Sequence, residues 1–186
     1  RNLIDFDLNE LIDEVVVLLG DYAHENKIAL IPEIEETILS VRADRDRIKQ
    51  VLINLIDNAI KYNKEGGKVW ISVTNATATE EMEAELEESE ILEAFSTETP
   101  ATTEDLRMIV LTVRDNGTGI PAASLDRIFE RFYRAETSRS RKLGGTGLGL
   151  SIVKHIAKLY RGYATAESVA GEGSVFRIFL KIGTNF

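Results

Sequence analysis

The sequence predicts a two-layer α/β sandwich, one mixed sheet with helices on one face. Three stretches carry apolar residues at i, i+3, i+4, i+7 spacing, the mark of amphipathic helices. Short strand-like runs lie between them, without the regular strand–helix–strand repeat of an all-parallel sheet. The 186 residues are 44% hydrophobic, which suits one domain, 1–186, around one buried core.

The first helix opens at Asp7-Leu8-Asn9-Glu10, a capping-box pattern with Asp7 as N-cap and Glu10 reaching back. Leu8, Leu11, Ile12, Val15, Val16 and Leu19 form its apolar stripe. Lys27 to Ile34 and Thr37 to Arg42 read as two strands joined by a turn. Asp44 caps the second helix, in which Ile48, Val51, Leu52, Leu55, Ile56, Ala59 and Ile60 make a full apolar ladder. Glu65-Gly66-Gly67 ends that region, and Lys68 to Asn75 and Arg107 to Arg114 are strands. A short helix is expected around Ser124 to Glu130. A polar, basic stretch runs from Arg134 to Leu143. A third long helix follows Gly144–Gly149, with Ile152, Val153, Ile156, Leu159 and Tyr160 on one face. Tyr163 to Ser168 and Ser174 to Lys181 close the sheet across the turn Gly171-Glu172-Gly173.

The net charge of −9 is unevenly placed. From Ala76 to Arg107 there are 11 acidic residues and one basic, and the remainder is near neutral at +1. Residues from about 76 to 105 therefore read as an acidic insertion between two strands of one sheet. Met82, Leu86, Leu92 and Phe95 offer it a thin helical stripe, but its composition is that of a solvated loop. No clustered Lys and Arg surface suggests nucleic acid. No apolar run approaches the ~20 residues that cross a bilayer, so no direct membrane contact is expected of this domain. The absence of Cys excludes disulfides and thiolate metal sites, and two His make a structural zinc unexpected. Arg1-Asn2-Leu3-Ile4-Asp5 has no signal-peptide pattern and reads as part of a longer chain.

Three features carry chemistry. On the second helix, at about 100° per residue, Asn54, Asn58 and Lys61 fall within an arc of about 60° beside the apolar face, where a cleft would lie. Such an Asn pair equally caps loops or faces water, while an Asn carbonyl suits Mg²⁺ together with substrate phosphates. Asp115-Asn116-Gly117-Thr118-Gly119 is, taken alone, a tight turn after a strand. Functionally, the Asp115 carboxylate at the end of a buried strand would accept from an exocyclic amine such as adenine N6. Gly117 and Gly119 would let the ligand approach the backbone. Gly145, Gly147 and Gly149 strip side chains from the start of a helix, where N–H groups and the helix dipole favour phosphate. Leu150-Ser151 excludes a P-loop, and the Gly-x-Gly-x-Gly spacing after a polar loop excludes a dinucleotide fingerprint.

Together these segments resemble the asparagine, first glycine, phenylalanine and second glycine boxes of sensor histidine kinases, in that order. They are Gln50–Tyr62, Asp115–Pro121, Ile128–Arg134 and Gly145–Leu150, with Phe6-Asp7-Leu8 and Gly173-Ser174-Val175-Phe176 extending the likeness. The resemblance implies the GHKL-type fold shared with gyrase- and MutL-type ATPases, a mostly antiparallel sheet on three main helices. It implies an ATP-binding catalytic domain that takes ATP and Mg²⁺ and transfers the γ-phosphoryl group. Asn58 would chelate the metal, with Asn54 one turn earlier. Lys61 would contact phosphate, and Tyr62 the ribose and lid. Asp115 would bind adenine beside Gly117, Gly119 and Ile120. Phe129 and Phe132 would anchor an ATP lid at about 134–145, with Arg134 near the γ-phosphate. Gly145, Thr146, Gly147, Leu148 and Gly149 would hold the phosphates.

Hydrolysing relatives resemble one another in a Glu at the position of Asn54, and an amide is a poor base for water. The resemblance therefore implies transfer to a His on a dimerisation hairpin upstream, and indirectly to a response regulator. His24 and His155 lack the context of that acceptor and read as structural. The alternatives are a GHKL-type ATPase and a nucleotide-binding pseudokinase or regulatory module. A cytoplasmic location is expected for the domain, with anchoring of the parent left open. Arg161-Gly162 departs from the family's Gly-Gly, for which a small local adjustment is expected.

Overall fold

A computed structural model describes residues 2–34, 40–77, 107–135 and 144–184. After β1 (Leu3–Phe6) the chain enters α1 (Leu8–Glu25). Asp7, in an extended conformation, accepts from the N–H groups of Asn9 and Glu10 at 2.7 and 3.4 Å, satisfying two orphan donors of the first turn. Helix α2 (Arg45–Lys61) starts the same way, with the Asp44 carboxylate accepting from Arg47 N–H at 3.4 Å. All seven members of its apolar ladder are buried.

The main sheet has five strands in the order β2 (Ala29–Glu33), β4 (Lys68–Thr77), β5 (Arg107–Asp115), β7 (Gly173–Leu180), β6 (Tyr163–Val169). Only β2–β4 is parallel; the other pairs are antiparallel. The predicted α/β sandwich is thus present, with a mixed, mostly antiparallel sheet. Val69, Ile71, Val73, Ile109, Leu111, Val113, Ile178 and Leu180 alternate onto the face that packs on the helices. On the other face the Arg114 guanidinium lies 4.2 Å from the Trp70 ring centre.

Two expectations change. The hairpin expected across residues 27–42 does not form. β2 pairs in parallel with β4, Ile31 opposite Trp70, while β3 (Val41–Asp44) pairs with β1 and with β8 (Gly183–Thr184) in a second, three-stranded sheet. A parallel pair needs a crossover, and α2 supplies it between β2 and β4. The described residues therefore build two sheets rather than one. The short helix α3 spans Ala122–Leu125 only. Beyond it the Arg127 and Glu130 N–H groups bond three residues back, to Ser124 and Arg127 carbonyls, so the chain continues as tight turns.

Helix α4 (Gly149–Leu159) packs on α2, and the Tyr160 hydroxyl accepts from Asp44 N–H at 2.9 Å, tying the end of α4 to the start of α2. Arg161 takes the left-handed conformation, φ 50°, which an arginine pays for in strain. Gly162 has no alternative: a Cβ there would lie 1.8 Å from the Phe179 carbonyl oxygen. The acidic segment from Ala78 onward and most of the lid region lie outside the described residues. Ala76 and Thr77, expected in the insertion, belong to β4. Among the described residues no helix is long and apolar enough to cross a membrane.

Candidate functional site

A cavity of about 370 Å³ opens between α2, the end of β5 with its following turn, and the start of α4. The periodicity of α2 brings Asn54, Asn58, Lys61 and Tyr62 to one wall. The opposite wall is the glycine run, Gly145 to Gly149. A side chain on Gly145 would begin 3.8 Å from Lys61 Nζ, and one on Gly149 3.7 Å from the Asn54 amide. The two walls therefore face each other at close range, with Nζ against the start of the run.

Gly147, at φ 69°, shows why this run needs glycine. A Cβ there would press to 2.8 Å on the Phe132 backbone, and Phe132 N–H donates to the Gly147 carbonyl at 3.0 Å. Arg134 also lines the cavity and donates to the Gly144 carbonyl at 3.4 Å, across the two ends of the lid region.

Asp115 stands at the end of the central strand β5, with Ser174 of β7 in register beside it. Burial pushes its carboxyl up to about 6, and the N–H groups of Gly117 and Ser174 offset part of that. Gly117 donates to Asp115 Oδ1 at 2.8 Å. A buried carboxylate with capacity to accept is suited to a ligand donor. The turn that follows is fixed by Thr118, whose hydroxyl and N–H both donate to the Tyr62 carbonyl at 3.0 and 3.1 Å. Ile120 N–H donates to Ser168 Oγ at 2.7 Å. Gly119 and Ile120 line the cavity.

Three expected contacts do not face it. Gly117 lies beneath the turn, where a Cβ would meet the Tyr62 carbonyl oxygen at 2.7 Å; its glycine serves backbone packing. Phe129 packs edge-on against Phe176, ring centres 6.2 Å apart, within the core margin. Phe132 is 71% exposed, at φ 62°. Conversely, Asp57, Ile128, Tyr133, Ser174 and Phe176 line the cavity without having been expected. Ser174 falls in a segment of the family likeness, but only the strand register places it beside Asp115. His24 and His155 are both exposed and away from the cavity.

The family model described as "Histidine kinase-, DNA gyrase B-, and HSP90-like ATPase" matches residues 43–184. The chain belongs to that family. Its relatives place this ATPase domain among the histidine kinases. It is 33% identical over 156 residues to the sensor histidine kinase WalK of Bacillus subtilis, covering 84% of this chain and 21% of that one. It is 31% identical over 175 residues to the adaptive-response sensory kinase SasA of Crocosphaera subtropica, covering 94% and 38%. The catalytic domain of the histidine kinase ThkA matches over the full length of both chains, at 31% identity and a TM-score of 0.69. Full-length ShkA, solved in complex with AMPPNP, shares the fold with a TM-score of 0.73 at 24% identity, over 99% of this chain and 32% of that one. The chain thus spans well under half the length of these curated relatives and corresponds to a histidine-kinase catalytic domain.

Among the described residues no group of three or more His, Asp or Glu side chains is arranged to hold a metal ion. Mg²⁺ in nucleotide sites needs little protein ligation, since phosphates and waters complete its shell. The Asn58 amide on the cavity wall fits that limited role. The Asn54 amide nitrogen is buried and has no hydrogen-bond partner among the described residues, so this wall keeps polar capacity for a ligand or its waters.

Proposed function

We propose that this histidine-kinase catalytic domain binds Mg-ATP in the cavity between α2 and α4 and donates the γ-phosphoryl group to a His outside this chain. One observation carries the reading: Asn58, Asp115 and the glycine run, far apart in sequence, line a single cavity. Asp115 would accept from the adenine amine. The N–H groups at the start of α4, with Lys61 and Arg134, would hold the phosphates. Asn58 would hold Mg²⁺, which when bound neutralises phosphate charge and orients the transferred group. Tyr62 would flank the sugar, and residues 134–145 would act as the lid.

Asn54 supports transfer over hydrolysis. An amide cannot take a proton from water, so the residue at position 54 cannot activate water as a carboxylate there would. The acceptor imidazole would belong to an upstream dimerisation hairpin, and a response regulator would receive the group from it. ThkA has been solved with the response regulator TrrA, which favours such a partner. The same reading makes this a cytoplasmic domain of a larger two-component sensor kinase.

Calorimetry on the isolated domain tests the binding half. Asn58→Ala and Asp115→Ala should each weaken Mg-ATP by roughly 1.5–3 kcal/mol, more than tenfold. Unchanged affinity in both would sink the assignment. Supplying the upstream hairpin tests the transfer half. Phosphohistidine is expected; free phosphate would indicate an ATPase, and neither product a pseudokinase.

A further inference from the structure

Among the cavity-lining residues described, the charged side chains are Lys61, Arg134, Asp115 and Asp57. The first three have roles in the nucleotide reading. Asp57 has none. Its Oδ2 lies 3.4 Å from Lys61 Nζ, and the two side chains are 37% and 20% exposed. On α2, at about 100° per residue, it falls on the Lys61 side of the polar arc and about 100° from Asn58. It is therefore a carboxylate beside the phosphate-facing lysine, and it stands apart from the Asn58 amide.

That position has an electrostatic consequence. A carboxylate next to Lys61 offsets the lysine's attraction and repels a polyphosphate chain. The repulsion grows with the charge on that chain. A divalent cation cancels much of the charge of a triphosphate, so the penalty falls mainly on the metal-free ligand. We propose that Asp57 is a specificity-determining residue, which makes this cavity discriminate against metal-free triphosphate and in favour of the metal-chelated form. The proposal rests on the nucleotide reading and concerns this chain's own carboxylate. The discrimination it supplies is roughly threefold to tenfold, as suits a partly exposed charge.

The test is calorimetry of the whole chain with ATP, once in excess EDTA and once in saturating Mg²⁺. Wild type, Asp57→Asn and Asp13→Asn are compared. Asp13 is exposed on α1 and does not line the cavity, so its variant makes the same change in net charge. In Asp57→Asn, metal-free ATP should bind roughly threefold to tenfold tighter, with Mg-ATP changing by less than about twofold. The result overturning the proposal is no gain in metal-free binding, or an equal gain in Asp13→Asn. Loss of both ligands in Asp57→Asn also overturns it, since the carboxylate would then only position Lys61. If wild type binds neither form, the nucleotide reading itself fails, and this inference with it.

Discussion

Asp115 is the residue at which the fold and the proposed nucleotide contact meet. Its carboxyl sits at the end of a buried strand and is pushed up to about 6, chiefly by burial. The ionised form is disfavoured in the folded domain and would be favoured by a bound amine. The sign follows for both properties. Without ligand, Asp115 is neutral at low pH in folded and unfolded chains alike. As pH rises from about 4 to about 6 the unfolded chain ionises first, so this residue's contribution to stability falls. Affinity should move the other way, because the carboxylate is a much stronger acceptor from an amine than the neutral carboxyl. At pH 5 the ionised fraction is about a tenth, and ATP should bind about tenfold more weakly than at pH 7.5. Asp115→Asn should flatten both profiles, in thermal melts and in calorimetry, and unflattened profiles would remove Asp115 from the account. The turn after Asp115 was legible, but taken alone it reads as ordinary turn chemistry; only its company with the asparagine helix and the glycine run marked the residue as a ligand candidate. Its pairing with Ser174 was not legible, because a cross-strand partner nearly sixty positions away leaves no local trace.

Elements were legible where periodicity and caps agreed. Asp7 and Asp44 both cap as their spacing with the apolar ladders requires. Strand partners were less legible, since β2 and β3 have strand composition but nothing local that forbids a hairpin. Their separation into two sheets depends on α2 returning the chain to β2's free edge. Phe129 and Phe132 mark a similar limit. The family likeness cast them as lid anchors at the nucleotide site, and neither lines the cavity: Phe129 packs on Phe176 and Phe132 is exposed. At the end of α4 the structure resolves which of two adjacent positions requires glycine. Arg161 tolerates a left-handed backbone, whereas Gly162 approaches Phe179 too closely for any side chain. Gly162→Ala should destabilise the domain by about 2–4 kcal/mol, read as a shifted denaturation midpoint with unchanged slope. A shift below about 0.5 kcal/mol would show that the α4–β7 contact yields easily.

For the whole molecule, the cavity lies where three parts meet, and two of them, α2 and α4, are braced away from it. Tyr160 ties α4 to the start of α2. Glu14 on α1 bonds Arg45 and Lys49 of α2, and these hold its carboxyl down to about 2. That brace is at full strength above about pH 4.5 and is lost only as pH falls through about 2, so it outlasts the Asp115 transition. The edge where β4 ends and β5 begins is different. Its last described pair sets Thr77 directly opposite Arg107, while Asp115 lies at the other end of the same strand, about 27 Å away. The stretch 78–106 therefore leaves and rejoins the sheet at one closed rung. Replacing it with a two-residue Asn-Gly turn should leave Mg-ATP affinity within about twofold of wild type, because closing a shorter loop costs no more entropy. A larger loss would mean that the cavity depends on that distant rung. The rung would thus serve as a port: cargo such as a fluorophore or an epitope could be spliced in there and reported on from outside, a whole strand's length from the proposed nucleotide site.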